Sequence, residues 1–159
     1  MEIVSAESPE QIALIRELFL EYANSLNFSL CFQSFDEELA TLPGLYKPPA
    51  GRLLLAMDGE QVAGCAALRP LEPGICEMKR LYVRPASRER GLGRSLSERI
   101  IAEARAIGYT ALRLDTVGPV MQKAVALYRM LGFREVAPYG KHPIAGTLFM
   151  ELELNKLKE

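Results

Sequence analysis

At 159 residues, with 49% apolar and 25% charged side chains, the chain has the length and composition of one folded domain with a substantial core. A formal net charge of −1 argues against nucleic acid as the main partner, because neutralising phosphates needs a basic excess. No apolar run approaches the roughly 20 residues of a membrane helix. Met1-Glu-Ile-Val-Ser has neither the basic start nor the apolar stretch of a secretory signal. Cys31, Cys65 and Cys76 lack metal or redox spacing and read as buried reduced thiols of a cytoplasmic protein.

Residues 2–5 read as a short strand. Ser8-Pro9-Glu10-Gln11 is a helix start, with an N-cap serine, proline at the first helical position and glutamine three residues after the cap. Ile12, Ile15, Leu18, Phe19 and Tyr22 then recur at helical spacing. Ser34-Phe-Asp-Glu37 opens a second, short helix that ends before Pro43-Gly44, and Lys47-Pro-Pro-Ala-Gly51 is a stiff loop. Residues 52–57 form a strand, Asp58-Gly59 a hairpin turn, and residues 61–71 the returning strand. Gly64 within it marks a bulge or a close backbone approach.

Pro73-Gly74 turns the chain into a strand over 75–83. A helix over 91–107 places Leu92, Leu96, Ile100, Ala104 and Ile107 on one face and closes at Gly108. After a strand over 111–116, Pro119 starts a helix with Val120, Ala124, Leu127 and Leu131 inward, ended by Gly132. Residues 133–137 and 147–154 are the last strands, and 155–159 a polar tail. This order predicts one domain over 1–154 of mixed α/β (α+β) class, with about seven strands in a mixed sheet and helices on both faces.

Between the strand over 75–83 and the following helix lies Arg88-Glu-Arg-Gly-Leu-Gly93. Gly91 and Gly93 remove two side chains, so that a ligand can approach the main-chain N–H groups. The helix N-terminus adds unpaired donors and a dipole that favours an anion by about 0.3–1 kcal/mol. The chain has no G-x-x-x-x-G-K-[ST], and this turn lacks the third glycine of the dinucleotide fingerprint and follows the fourth strand instead of the first. A solvated basic loop capping a helix is the plainer reading of such a turn in isolation.

Four segments together resemble the GNAT superfamily of acetyl-CoA-dependent N-acetyltransferases. They are Glu77-Met-Lys-Arg-Leu-Tyr-Val83, the pattern Arg88-x-x-Gly91-x-Gly93, Leu112-Arg-Leu-Asp-Thr116, and Ala124-x-x-Leu127-Tyr128-x-x-x-Gly132-Phe133. The resemblance implies a splayed sheet, in which the strands ending at Val83 and Thr116 diverge and the pantetheine arm of acetyl-CoA, the cosubstrate, lies between them. It implies main-chain pairing of that arm at Leu81, Tyr82 and Val83. The pyrophosphate would rest on the amides of Arg88, Glu89, Arg90, Gly91, Leu92, Gly93, Arg94 and Ser95. Met121 stands where many members carry an asparagine that contacts the pantetheine.

The resemblance also implies that Tyr128 donates toward the CoA sulfur and that a main-chain N–H near Tyr82 or Val83 polarises the carbonyl. A tyrosine near pKa 10 giving its proton to a thiolate near 8.5 moves it uphill by about 2 kcal/mol, so hydrogen bonding to the developing thiolate is the better description. Packing in the core is the alternative for Tyr128. Glu77 is the candidate base, acting through a water; by alternation it shares a face with Lys79, Leu81 and Val83. A salt bridge to Lys79 or Arg69 is its alternative. Need for a base depends on the acceptor: about a tenth of an α-amine is neutral at pH 7, against roughly one in 2,500 lysine amines.

His142, the only histidine, falls in the last interstrand loop and is a solvated residue before it is a base. Phe28, Phe32, Phe35 and Tyr46 are core aromatics or the lining of an acceptor pocket. Arg69 and Lys79 are placed to read a carboxylate on an amino-acid-like acceptor. One histidine and scattered cysteines make no metal cage.

The sequence therefore points to an enzyme that acetylates a primary amine of a small molecule or amino-acid derivative. Alternatives are acetylation of a protein lysine or N-terminal amine, or a CoA-binding sensor without turnover. Asp36-Glu-Glu38 is only a modest acidic cluster for a basic peptide, which favours the small molecule. The resemblance leaves a homodimer open.

Overall fold

The computed structural model describes residues 1–26, 34–118, 121–140 and 144–154. In chain order these form β1 (Glu2–Ser5), α1 (Pro9–Ser25), α2 (Phe35–Thr41), β2 (Arg52–Asp58), β3 (Gln61–Glu72), β4 (Ile75–Val83), α3 (Leu92–Ile107), β5 (Ala111–Val117), α4 (Gln122–Met130), β6 (Arg134–Val136) and β7 (Thr147–Glu153). Short 3-10 turns cover Gly44–Tyr46 and Pro85–Ser87. The expected elements are present, except that α4 begins at Gln122, capped by Met121, and not at Pro119. Cys31, Phe28, Phe32, Pro119, Val120, His142 and the tail over 155–159 lie outside the described residues.

Local rules account for the starts and stops. The Ser8 side chain accepts from the Gln11 amide at 3.1 Å while the Gln11 side chain accepts from the Ser8 amide at 3.2 Å, a complete capping box. Gly91 caps α3 in the left-handed region, at φ +77°, and Gly108 closes it. Within β3, a Cβ on Gly64 would stand 2.5 Å from the Tyr82 carbonyl oxygen, so only bare backbone lets β3 approach β4 there.

Seven strands lie in the order β1-β2-β3-β4-β5-β7-β6. Antiparallel pairing runs everywhere except between β4 and β5, which are parallel. That parallel contact is short: Ile75↔Ala111, Cys76↔Leu112 and Glu77↔Arg113 are its partners. Beyond Glu77, β4 keeps β3 on one edge and, among the described residues, has no strand on the other, while β5 continues against β7. The sheet is split from that point, as a splayed sheet requires.

Two cores cover the two faces. One packs α3 and Tyr128 of α4 on Leu54, Ala66, Leu68, Cys76, Met78, Leu112 and Leu114. The other packs α1 and α2 on Leu53, Leu55, Cys65, Ala67 and Tyr82. Each fully buried leucine or isoleucine contributes about 1.5–3 kcal/mol of transfer free energy. Cys65 and Cys76 are free and buried. Among the described residues no helix is long and apolar enough to cross a membrane.

Candidate active site

β4 does not keep the simple alternation expected of it. Arg80 has φ +60°, and the register with β3 moves from Cys65↔Tyr82 to Ala67↔Lys79, so Arg80 and Leu81 together face Ala66. This is a bulge, and it re-aims every later side chain. Glu77, Lys79 and Tyr82 lie on the α1/α2 face, opposite Arg69, Ala67 and Cys65. Leu81 and Val83 pack on the α3 core instead. Glu77 and Lys79 therefore do not share a face with Leu81 and Val83, contrary to the sequence reading.

Ion pairs hold the helices to this wall. Arg80, 4% exposed, donates to Glu38 of α2 through Nε at 2.9 Å and Nη2 at 2.7 Å, and its guanidinium lies 5.2 Å from the Phe35 ring centre. Arg84 pairs with Glu21 and with Glu17 of α1, and the Tyr82 hydroxyl donates to Glu21 at 3.3 Å. Phe35 and Tyr46 are buried core residues, and Tyr46 also lines a cavity of about 520 Å³ with Glu37, Glu38, Lys47 and Arg69.

Glu77 is 2% exposed and engaged on both oxygens. Oε1 accepts from Arg69 Nε at 3.1 Å and Nη2 at 2.9 Å; Oε2 accepts from the Tyr139 hydroxyl at 2.9 Å. Tyr139 is held in turn by an edge contact to Phe149 and by Arg113 over its ring. Arg69 is thus taken up by Glu77. Lys79, 7% exposed, makes no hydrogen bond or ion pair among the described residues; burial lowers its pKa, against the charges of Glu77 and Asp115.

Tyr128 is 6% exposed, with its ring tilted 5.7 Å from that of Phe133. Burial, then the nearby Tyr22 and Asp115, raise its pKa well above the ordinary value. Those two neighbours belong to the opposite face, so Tyr128, packed in the α3 core, still feels charge from across the sheet. Asp115 follows Arg113 by two residues on β5, and its field reaches Tyr22, Lys79, Tyr128 and Tyr139. Sequence reading missed Asp115 and Tyr139. The motif Leu112-Arg-Leu-Asp-Thr116 held the signal for Asp115, an acidic residue at an alternate strand position.

At the mouth of α3 the chain offers a run of unused donors. Arg88 N–H is bonded to the Pro85 carbonyl at 3.3 Å and Ser95 N–H to that of Gly91 at 3.0 Å. The amides of Glu89, Arg90, Gly91, Leu92, Gly93 and Arg94 between them have no partner among the described residues. The expected amide cradle is narrower by those two residues. Arg88 turns its Nε to the Val83 carbonyl at 2.9 Å, Arg90 pairs with Asp58 at 3.0 Å, and Arg94 with Glu98 at 3.1 Å. A Cβ on Gly91 would meet nothing within 4 Å, and one on Gly93 would stand 3.9 Å from Leu127 and 4.0 Å from Val83. Donors, bare backbone and flanking guanidinium groups fit a diphosphate. Met121 caps α4, and its sulfur accepts from the Thr116 hydroxyl at 3.2 Å.

The family model of the acetyltransferase (GNAT) family matches residues 13–133. An uncharacterised N-acetyltransferase of Schizosaccharomyces pombe is 39% identical over 98% of this chain and 96% of its own length. A protein of Azospirillum brasilense named IAA acetyltransferase is 37% identical over 95% of this chain and 97% of its own. Among solved structures, yncA of Salmonella typhimurium, determined with its cofactor acetyl-CoA, superposes with a TM-score of 0.70 at 22% identity, covering 100% of this chain and 96% of that one. The chain belongs to the GNAT acetyltransferase family and is an acyltransferase of the N-acetyltransferase type. Its split seven-stranded sheet is the fold of that family.

Proposed function

We propose that the protein transfers an acetyl group from acetyl-CoA to a primary amine of a small molecule or amino-acid derivative. The observation that carries this reading is the run of unpaired amides at residues 89–94 at the mouth of α3, following the strand whose edge is open beyond Glu77. The diphosphate rests on those amides, Arg88 and Ser95 border them, and the pantetheine arm pairs with the main chain at Leu81, Tyr82 and Val83. The thioester then lies beside Tyr128.

Tyr128 acts as a hydrogen-bond donor to the departing sulfur. Its raised pKa makes full proton transfer even less favourable than for an exposed tyrosine. Glu77, with both oxygens occupied, is a positioning residue that fixes Arg69 and the Tyr139 hydroxyl at the acceptor side. Glu38 of the acidic cluster is spent on Arg80, so of the three only Asp36 and Glu37 stay exposed to a basic peptide, which supports a small acceptor.

Acetyl-CoA should raise the melting temperature in proportion to its occupancy of the folded state. Gly91→Trp, which fills the cradle, should remove that shift. No shift for the parent protein at saturating acetyl-CoA would overturn the reading.

A further inference from the structure

Among the described residues, Lys79 and Asp115 line the split without an ion pair or hydrogen bond. Continuing the parallel register from Glu77↔Arg113 by two residues would set Lys79 of β4 beside Asp115 of β5. The strands separate at that point, so the two stand on opposite lips of the opening. Their side chains lie on the same face: Lys79 stands opposite Ala67 of the α1/α2 core, and Asp115 alternates with Leu114 and Thr116 on β5. Each lies within the other's field, yet neither makes an ion pair or hydrogen bond among the described residues. The neighbouring charges are already matched, Arg80 by Glu38, Arg69 by Glu77 and Arg113 by Glu151 and Glu72.

A lysine this buried, with no ion pair or hydrogen bond among the described residues, loses much of its hydration unless something else supplies the counter-charge. A cation and an anion facing each other across a gap are complementary to a molecule carrying one charge of each sign. We infer that Lys79 and Asp115 together read a zwitterionic acceptor, a free α-amino acid: Lys79 takes its carboxylate and Asp115 its ammonium. This rests on the acetyltransfer reading above and names its acceptor class.

Asp115 then serves as the base. The acceptor ammonium passes one proton to the Asp115 carboxylate, and the freed lone pair attacks the thioester carbonyl carbon. As the C–N bond forms the C–S bond breaks, its electron pair leaving on sulfur, which accepts a hydrogen bond from Tyr128. The second proton lost from nitrogen ends on that sulfur as the free thiol, and Asp115 returns the first to solvent. Tyr22, Tyr139, Glu77, Arg69 and Arg80 face the pair from α1, β3, β4 and the loop before β7.

The test is thiol release from acetyl-CoA with a panel of the common amino acids, each paired with its amide and its decarboxylated amine. The free amino acids should be preferred. Lys79→Met should raise KM about tenfold to a hundredfold for the amino acid and leave the decarboxylated amine unchanged, with Lys79→Arg recovering part of the loss. Asp115→Asn should lower kcat about a hundredfold or more. Both variants should keep the thermal shift with acetyl-CoA, which separates failure of this inference from failure of cofactor binding. Equal turnover of amino acids and decarboxylated amines, no turnover of any amino acid, or full kcat in Asp115→Asn would each overturn it.

Discussion

The Arg80 guanidinium and the Glu38 carboxylate face each other fork to fork, with side-chain exposures of 2% and 11%, and so tie the bulge of β4 to the first turns of α2. Removing Glu38 takes away the carboxylate that Arg80 meets through two of its nitrogens. Glu38→Ala should therefore cost about 1.5–3 kcal/mol in chemical denaturation, whereas an apolar pair at both positions should recover part of that loss. A double variant as unstable as Glu38→Ala would refute this account.

Gly64 is where β3 meets the Tyr82 carbonyl. The atom that a methyl group would strike at 2.5 Å is backbone and cannot rotate away. Gly64→Ala should destabilise by about 1–3 kcal/mol, read from the denaturation midpoint. It should also weaken acetyl-CoA binding, because the displaced residue is Tyr82 on the open edge of β4.

Tyr128→Phe removes one hydroxyl and little volume. If that hydroxyl steadies the departing sulfur, kcat should fall about tenfold to a hundredfold while the acetyl-CoA dissociation constant stays within about twofold. Steady-state kinetics beside calorimetric titration separates the two effects.

All the tyrosines are pushed to higher pKa, with burial the largest cause in each case. A group whose folded pKa exceeds its unfolded value contributes stability that is whole below the unfolded pKa and is lost as pH rises toward the folded one. The native protein should thus hold its stability up to about pH 10 and lose it above. Phenolate absorbance should appear together with loss of circular dichroism; phenolate forming first, on a folded protein, would contradict the burial argument.

Burial also raises the thiols, Cys76 to about 12 and Cys65 further. Thiolate is the reactive form, so both should resist iodoacetamide at mildly alkaline pH and react at ordinary rates once the chain is unfolded. Peptide mass mapping of the alkylated cysteines reads the difference.

The order of elements, the capping box at Ser8 and Gln11, the turn at Gly91 and the need for bare backbone at Gly64 were all written in local pattern. Each depends on a residue and its near neighbours in the chain, where the number of backbone solutions is small. The candidate donors of residues 88–95 were legible for the same reason, apart from the amides of Arg88 and Ser95, which the turn itself consumes.

The acceptor wall was different, because it is made of distant partners. A single bulge at Arg80 reverses the facing of Leu81 and Val83 relative to Glu77, and no periodicity in the sequence marks it. Glu77 meets Arg69 from β3 and Tyr139 from the loop after β6, which turns an apparently available carboxylate into an occupied one. Lys79 and Asp115, separated by 36 positions in the sequence, face each other only because β4 and β5 part after Glu77 and Arg113. Local sequence determines elements and caps; which charges are matched and which are left over is decided by the packing of strands that the chain brings together from afar.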